Sequence, residues 1–404
     1  MLGALWVAVQ VQRMLLPALL GASPILRDFG VTAGQAGLLA AIYFPVYGLM
    51  QIPSGLIADR GGQRRLLVGS CLFLGVAGVA FAVAPSLSTA VVARAVVGAT
   101  SSLFWVPSLK LCLSLSQRYY GRSVGIMVAA GSVGGVAALL ALPAVLQELP
   151  WRTVSLLAAL PMFPLAAAML LLPESPDDAA RGASRGIDLG ALWAAVRDVR
   201  FWRLAWPAMM WDGTWFGLLT WLPRYARDVL EIDPAASGIF AAAATAALIP
   251  GSYFFGWMAS HRPASGRPLF YLAQIGSLIA ALALPLVDPG VGIGIFLALV
   301  CVIGALFGGF FIYMSLLVRD IPTNRLGAAT GLCNCLTFFP AFGASWLMGA
   351  ALDLIDRPTT TDPIYSTAAY DAAWVVAAGW LVVGLLGAVA LSRWPDRRRA
   401  AEVG

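Results

Sequence analysis

The sequence predicts an all-α integral membrane protein of twelve transmembrane helices, arranged as two similar six-helix bundles related by a pseudo-two-fold axis. Three observations predict it. Of 404 residues, 60% are hydrophobic and only 11% charged, with a mean hydropathy of +0.83. A soluble domain carries roughly 25% charged residues to wet its surface, so a soluble enzyme is excluded. Runs such as 66–84 and 270–287 contain no charge at all, and each is close to the roughly 20 residues needed to cross a hydrocarbon core. Finally, features of the first half recur in the second about two hundred residues later.

The apolar segments follow in order. The first, 3–23, carries Gln10, Gln12 and Arg13 at its middle. Arg13 followed by Met14–Gly21 has the charge and apolar run of a signal peptide. Residues 2–9 are already apolar, however, which favours a first membrane helix. The second, 36–58, places Tyr43, Tyr47 and Gln51 four apart, on one helical face. The third is 66–84; the fourth, 90–115, holds Arg94 and the sole lysine, Lys110; the fifth and sixth are 122–145 and 152–172. A polar linker, 173–200, ends in a short amphipathic stretch, LGALWAAVRDV. The second set is 201–222, 236–259, 268–287, 290–317, 327–351 and 372–392. The domains are therefore 1–172, the linker 173–200, 201–392 and a tail 393–404.

Charge sets the topology. The net charge is +6, and Lys and Arg concentrate in cytoplasmic loops of membrane proteins. With the N-terminus inside, 18 of the 26 basic residues fall on the cytoplasmic side and five outside. Both termini are thus expected in the cytoplasm, at the cell membrane, and the basic excess needs no nucleic-acid partner. Arg13, Arg94 and Lys110 remain within the membrane. The cysteines at 71, 112, 301, 333 and 335 lie in apolar segments and read as packing thiols. Cys333 and Cys335, two apart on a helix, point to different sides and make a poor metal site. No metal or cofactor is expected.

The repeat is specific. Arg27-Asp28 matches Arg227-Asp228, Gly37-Leu38 matches Gly238-Ile239, and Gly55 matches Gly256, at offsets of 200 or 201. Parallel repeats of this kind build transporters whose solute site lies at the repeat interface near the midplane.

After the second segment the chain reads Gly55-Leu-Ile-Ala-Asp59-Arg60-Gly-Gly62-Gln63-Arg64-Arg65-Leu-Leu67. This loop resembles the signature G-x-L-a-D-r-x-G-r-k-x-x-L of the major facilitator superfamily, with Gln63 where Arg is usual. Physically, Gly55 permits close helix approach and Gly62 a tight turn. Asp59 needs a partner: Arg60, Arg64, Arg118 or the positive end of a helix from the other half. The resemblance implies a cytoplasmic latch that holds the halves together when the protein opens outward. The matching second loop keeps Gly256, but Ser260 stands where the acid would be, so a second latch is expected to be degenerate. His261, the only histidine, sits in that loop and reads as an interfacial cation.

Arg94-Ala-Val-Val-Gly98 resembles the R-x-x-x-G segment of the superfamily's fourth helix. Arg94 either supports proton movement or caps a polar pocket in the first half. Residues 131–135, Gly-Ser-Val-Gly-Gly, lack the proline of the drug-antiporter motif. Thr220-Trp-Leu-Pro-Arg-Tyr225 loosely resembles a segment of the anion-type bacterial members.

Charges at the bilayer centre are costly and so mark function. Arg13 and Asp212 sit at the middle of equivalent segments, one and seven, 199 positions apart. Arg offers a planar fork for carboxylate, phosphate or sulfate oxygens. Asp212, the one acid deep in a helix, is the proton-binding candidate, and an Arg13–Asp212 ion pair is the bland alternative. Lys110 is either a second positive group for an anion or a side chain snorkelling to the inner interface. Gln10, Tyr43, Tyr47, Gln51, Trp215, Tyr313 and Asn334 complete the expected binding set. Trp202, Trp206 and Trp374 are expected in interfacial belts.

The expected activity is secondary transport of a small solute, an organic anion, by alternating access and with proton coupling, as symporter or antiporter. A proton-driven drug or cation exporter is the second reading. A receptor-like role is the third, against which the short tail argues. Partners are then the solute, a proton or other coupling ion and the lipid bilayer, with a monomer expected.

Overall fold

The computed structural model describes residues 1–22, 25–59, 62–115, 120–172, 189–287, 292–321, 323–357 and 363–393. Numbering each interrupted span once, the first half comprises α1 (Leu2–Ala22), α2 (Ala33–Ala41 continued by Tyr43–Asp59), α3 (Gln63–Ala82), α4 (Leu87–Leu115), α5 (Tyr120–Glu148) and α6 (Trp151–Ala159 and Met162–Met169). The second comprises α7 (Val199–Asp228), α8 (Ile239–His261), α9 (Gly266–Ala283), α10 (Ile293–Phe307 and Ile312–Asp320), α11 (Thr323–Leu336 and Phe338–Asp356) and α12 (Thr367–Ser392). A short helix, Leu189–Val196, precedes α7.

Among the described residues, eleven spans are long and apolar enough to cross a membrane. The twelfth is α7. Its 30 residues reach about 45 Å, but Arg200, Arg203, Asp212, Arg224, Arg227 and Asp228 depress its hydropathy. Every residue from Pro207 to Ala226 is buried, so this helix is shielded by its neighbours and need not be greasy throughout.

Several helix bounds depart from the sequence expectation by a few residues, and three features of the helices have a local cause. α2 begins at Ala33, because the Gln35 side chain accepts from the Thr32 N–H at 3.1 Å in a capping box. α7 runs past Pro223 to Asp228, where the Arg224–Asp228 pair closes its last turn at 2.9 Å. α10 changes to a 3₁₀ turn at Gly308–Phe311, where Gly308 lies against the backbone of Gly251 on α8. Trp374 also departs. It is fully buried, edge-on to Tyr225 at 5.3 Å, because Ala369, Ala373, Ala377 and Ala378 let α12 close on its neighbours. Trp202 and Trp206 are half-buried and donate to the carbonyls of Val196 and Val383.

The halves meet through α1 against α7, α2 against α11, and α5 against α8. The repeat expected from sequence recurs in the packing. Trp151, opening α6, donates to Asp28 at 2.6 Å, and Tyr370, near the start of α12, donates to Asp228 at 3.0 Å. Gly37 lets α2 approach the Ser345 backbone of α11, while Gly238 lets the start of α8 approach Leu139 of α5. A Cβ on Gly256 would meet nothing within 4 Å, so that repeated glycine makes no close approach.

Candidate functional site

Between the halves lies a cavity of about 480 Å³, lined from α1 by Gln10 and Arg13, from α7 by Asp212 and Trp215, and from α11 by Asn334 and Thr337. Tyr47 of α2 and Tyr313 of α10 also line it. Trp6 of α1 and Val124 of α5 extend it toward the face carrying the start of α1 and the end of α12, the terminal face. Seven residues expected from sequence are thus brought together: Gln10, Arg13, Tyr47, Asp212, Trp215, Tyr313 and Asn334. Tyr43, Gln51, Arg94 and Lys110 are not among the lining residues.

Among the described residues, Arg13 and Asp212 are the two charged side chains in the lining. They are close enough to interact electrostatically, yet no ion pair joins them among the described residues. The Arg13 guanidinium instead lies 4.2 Å from the Phe216 ring centroid, with Tyr43, Phe44, Phe338 and Tyr47 at 5.7 to 5.9 Å. Its Nε and Nη2 are buried without a hydrogen-bond partner, as is Oε1 of Gln10. Ring faces attract the cation but leave its N–H donors unsatisfied, and an unmade buried hydrogen bond is costly. A polar group entering the cavity meets ready donors.

Arg94 works at one remove. Its Nη1 and Nη2 donate to the carbonyls of Gln12 and Arg13 at 2.9 and 3.2 Å, and its guanidinium covers the Tyr43 ring at 4.9 Å. One turn on, Gly98 allows the Tyr43 backbone to approach: a Cβ there would sit 2.5 Å from the Tyr43 carbonyl oxygen. The R-x-x-x-G spacing thus fixes both the backbone that carries Arg13 and the tyrosine beneath it. Tyr43 in turn stacks on Tyr47 at 5.5 Å.

Residues 2–345 match the family profile of the Major Facilitator Superfamily. The chain belongs to the Major Facilitator Superfamily. It is 25% identical to a probable sulfoacetate transporter of Cupriavidus necator, over 91% of this chain and 87% of that one. It is 30% identical to human solute carrier family 22 member 2 over 38% of this chain, a match spanning 28% of that protein. A solved structure of a bacterial homologue of the human lysosomal transporter Spinster, in an inward-facing and occupied conformation, superposes with a TM-score of 0.75 at 17% identity. That match covers 97% of this chain and 95% of the other. This superfamily member is a multi-pass transporter of small solutes and not an enzyme.

The distal face of the transporter, opposite the terminal face, is sealed by polar contacts across the halves. Asp353, near the end of α11, accepts from the N–H groups of Ala33 and Gly34 at the start of α2, at 3.1 and 2.7 Å. A carboxylate is well placed at a helix N-terminus. Tyr365 donates to Asp353 at 2.6 Å and accepts from Ala33 N–H at 3.0 Å. Burial and the Asp353 carboxylate raise the Tyr365 pKa above the ordinary phenol value, so the hydroxyl keeps its proton. Arg224, wholly buried, donates to the Leu20 carbonyl of α1, the Pro363 carbonyl and Asp228. The Thr220–Tyr225 segment therefore lies at the seam: Pro223 lies against Gly21 of α1, while Trp221 donates to the Ser345 carbonyl within its own half.

On the terminal face, Gly62 has φ +78°, a left-handed backbone that glycine adopts readily, and Arg64 donates to the carbonyls of Leu170 and Leu172 at 3.4 and 3.2 Å. Arg60 and Arg118 lie outside the described residues, as do the side chain of Asp59 and the surroundings of Gly55. In the second loop, Nδ1 of His261 lies 3.0 Å from the Trp257 carbonyl, on the surface. Asp353, Tyr365 and Arg224 had no signal in single-segment patterns, because they act between distant segments. Phe216, Thr337 and Phe338 were legible: they follow Asp212 or Asn334 by three or four residues, on the same helical side.

Proposed function

We propose that this transporter moves a small organic anion by alternating access, with Arg13 as the anion anchor and Asp212 as the proton carrier. The carrying observation is the pair of buried, unpartnered Arg13 donors in a cavity at the seam of the halves. A carboxylate or sulfonate would satisfy both in the fork geometry that guanidinium favours. The likeness to a probable sulfoacetate transporter agrees with an anionic solute. Asp212 is the one acid in the lining among the described residues. Its protonation would change the net charge presented to the solute by one unit, which couples the two bindings.

The arginine bias orients the terminal face to the cytoplasm. The cavity then opens inward while the distal seal closes the outside. The reciprocal, outward-open arrangement would break the Asp353 seal and use the Asp59 loop on the other face.

One observation favours a second reading, export of a cation: Asp212 shares its cavity with aromatic rings, which also receive cations. Uptake in proteoliposomes separates the two. In the anion reading, Arg13→Gln abolishes saturable transport of carboxylates and sulfonates. A cation exporter would tolerate Arg13→Gln and lose transport in Asp212→Asn.

A further inference from the structure

We infer that the transported anion carries a planar ring, and that a short aliphatic anion is a poor solute. The inference rests on the anion reading above and names the class of molecule that fills the rest of the site.

Among the described residues, ten of the 22 that line the cavity are aromatic, and Arg13 and Asp212 are the only charged ones. On the second half, Trp215 stacks on Phe307 at 4.6 Å and 7°, and Phe307 stacks on Phe310 at 5.0 Å and 15°. These near-parallel rings from α7 and α10 form a stacked column along the apolar wall of the cavity, which a further planar ring can extend face-on or meet edge-on. On the other side of the cavity, Trp6 and Trp105 pack together at 5.3 Å, and both line it. Arg13, with its unsatisfied donors, is held by rings contributed from α2, α7 and α11.

A cavity of about 480 Å³ falls in the range of roughly 300–1,000 Å³ that buries drug-sized ligands. A two-carbon anion at Arg13 would leave most of this wall against water. It would also exchange its hydration shell for an environment with few hydrogen-bonding groups, which is unfavourable. A ring attached to the anionic group leaves that second cost as it is but reverses the first. It removes apolar wall from water and stacks in the offset or edge-on geometry that aromatic pairs prefer. Asn334 and Thr337, beside Asp212 in the lining, would receive a polar ring substituent.

The test is binding by isothermal titration and thermal shift on the purified full chain. The probes are benzoate, phenylacetate and indole-3-acetate against acetate, glycolate and sulfoacetate. Ring-bearing anions should bind at least about tenfold more tightly than aliphatic ones of the same charge. Trp215→Leu should erase most of that preference, while Trp215→Phe, which keeps a ring, should retain it and control for misfolding. Arg13→Gln should weaken every anion. Aliphatic anions binding as tightly as ring-bearing ones would overturn the inference and leave the anion reading intact. Neutral ring compounds such as benzamide binding as well as benzoate, with no effect of Arg13→Gln, would overturn both.

Discussion

Replacing Asp353 with Asn should unlatch the distal face. In the present arrangement its carboxylate accepts from Ala33 N–H, Gly34 N–H and the Tyr365 hydroxyl. The two backbone donors belong to the other half, so these bonds exist only while the face is closed. Hydrogen bonds to a charged group contribute about 1.5–3 kcal/mol each. Asparagine keeps one acceptor oxygen and the site is only half-buried, so the net loss is about 1–3 kcal/mol, a population shift of roughly 5- to 150-fold toward the open distal face. Tyr365→Phe should act in the same direction with a smaller effect. The assay is labelling of a reporter cysteine at Leu219, which lines the cavity, by a membrane-impermeant maleimide applied from the distal side. The expected result is faster labelling in D353N than in the parent, in proportion to the population shift. Equal labelling rates, with both proteins folded, would refute the assignment of Asp353 as a latch between the halves.

Other expectations follow from the same geometry. Arg94→Gln removes both donors to the Gln12 and Arg13 carbonyls and should cost about 2–4 kcal/mol, seen as a lower melting temperature in detergent. Gly98→Ala places a methyl group 2.5 Å from the Tyr43 carbonyl oxygen. It should cost about 1–3 kcal/mol and weaken solute binding through the displaced Tyr43 ring, which titration would read. Asp212→Asn should abolish accumulation driven by a proton gradient yet preserve counterflow exchange of pre-loaded solute; gradient-driven accumulation at the parent rate would exclude Asp212 as the proton carrier.

The architecture was legible because the bilayer imposes simple rules. Charge-free runs marked the spans, and the Arg27-Asp28 and Arg227-Asp228 echo marked the repeat, which the structure matches through Trp151 and Tyr370. Arg13 and Asp212 were legible because an ionisable group at the membrane centre stands out against apolar neighbours. The aromatic character of the site was harder to read. Phe307 and Phe310 look like ordinary lipid-facing residues until the 3₁₀ turn at Gly308–Phe311 brings them to the cavity. The distal seal was not legible. Asp353 and Ala33 are 320 residues apart, and no local pattern pairs a helix end with a carboxylate on another half. Arg224 resembled a loop cation, yet it is wholly buried at the seam. Tertiary packing, not segment hydropathy, decides such positions.

The central claim is that Arg13 holds the anionic group of the solute. Titrating benzoate into the parent protein, Arg13→Lys and Arg13→Gln tests it most directly. Loss of two charge-assisted hydrogen bonds is about 3 kcal/mol, so Arg13→Gln should raise Kd roughly 150-fold, with Arg13→Lys between the two. Unchanged affinity in a folded Arg13→Gln protein would contradict the account.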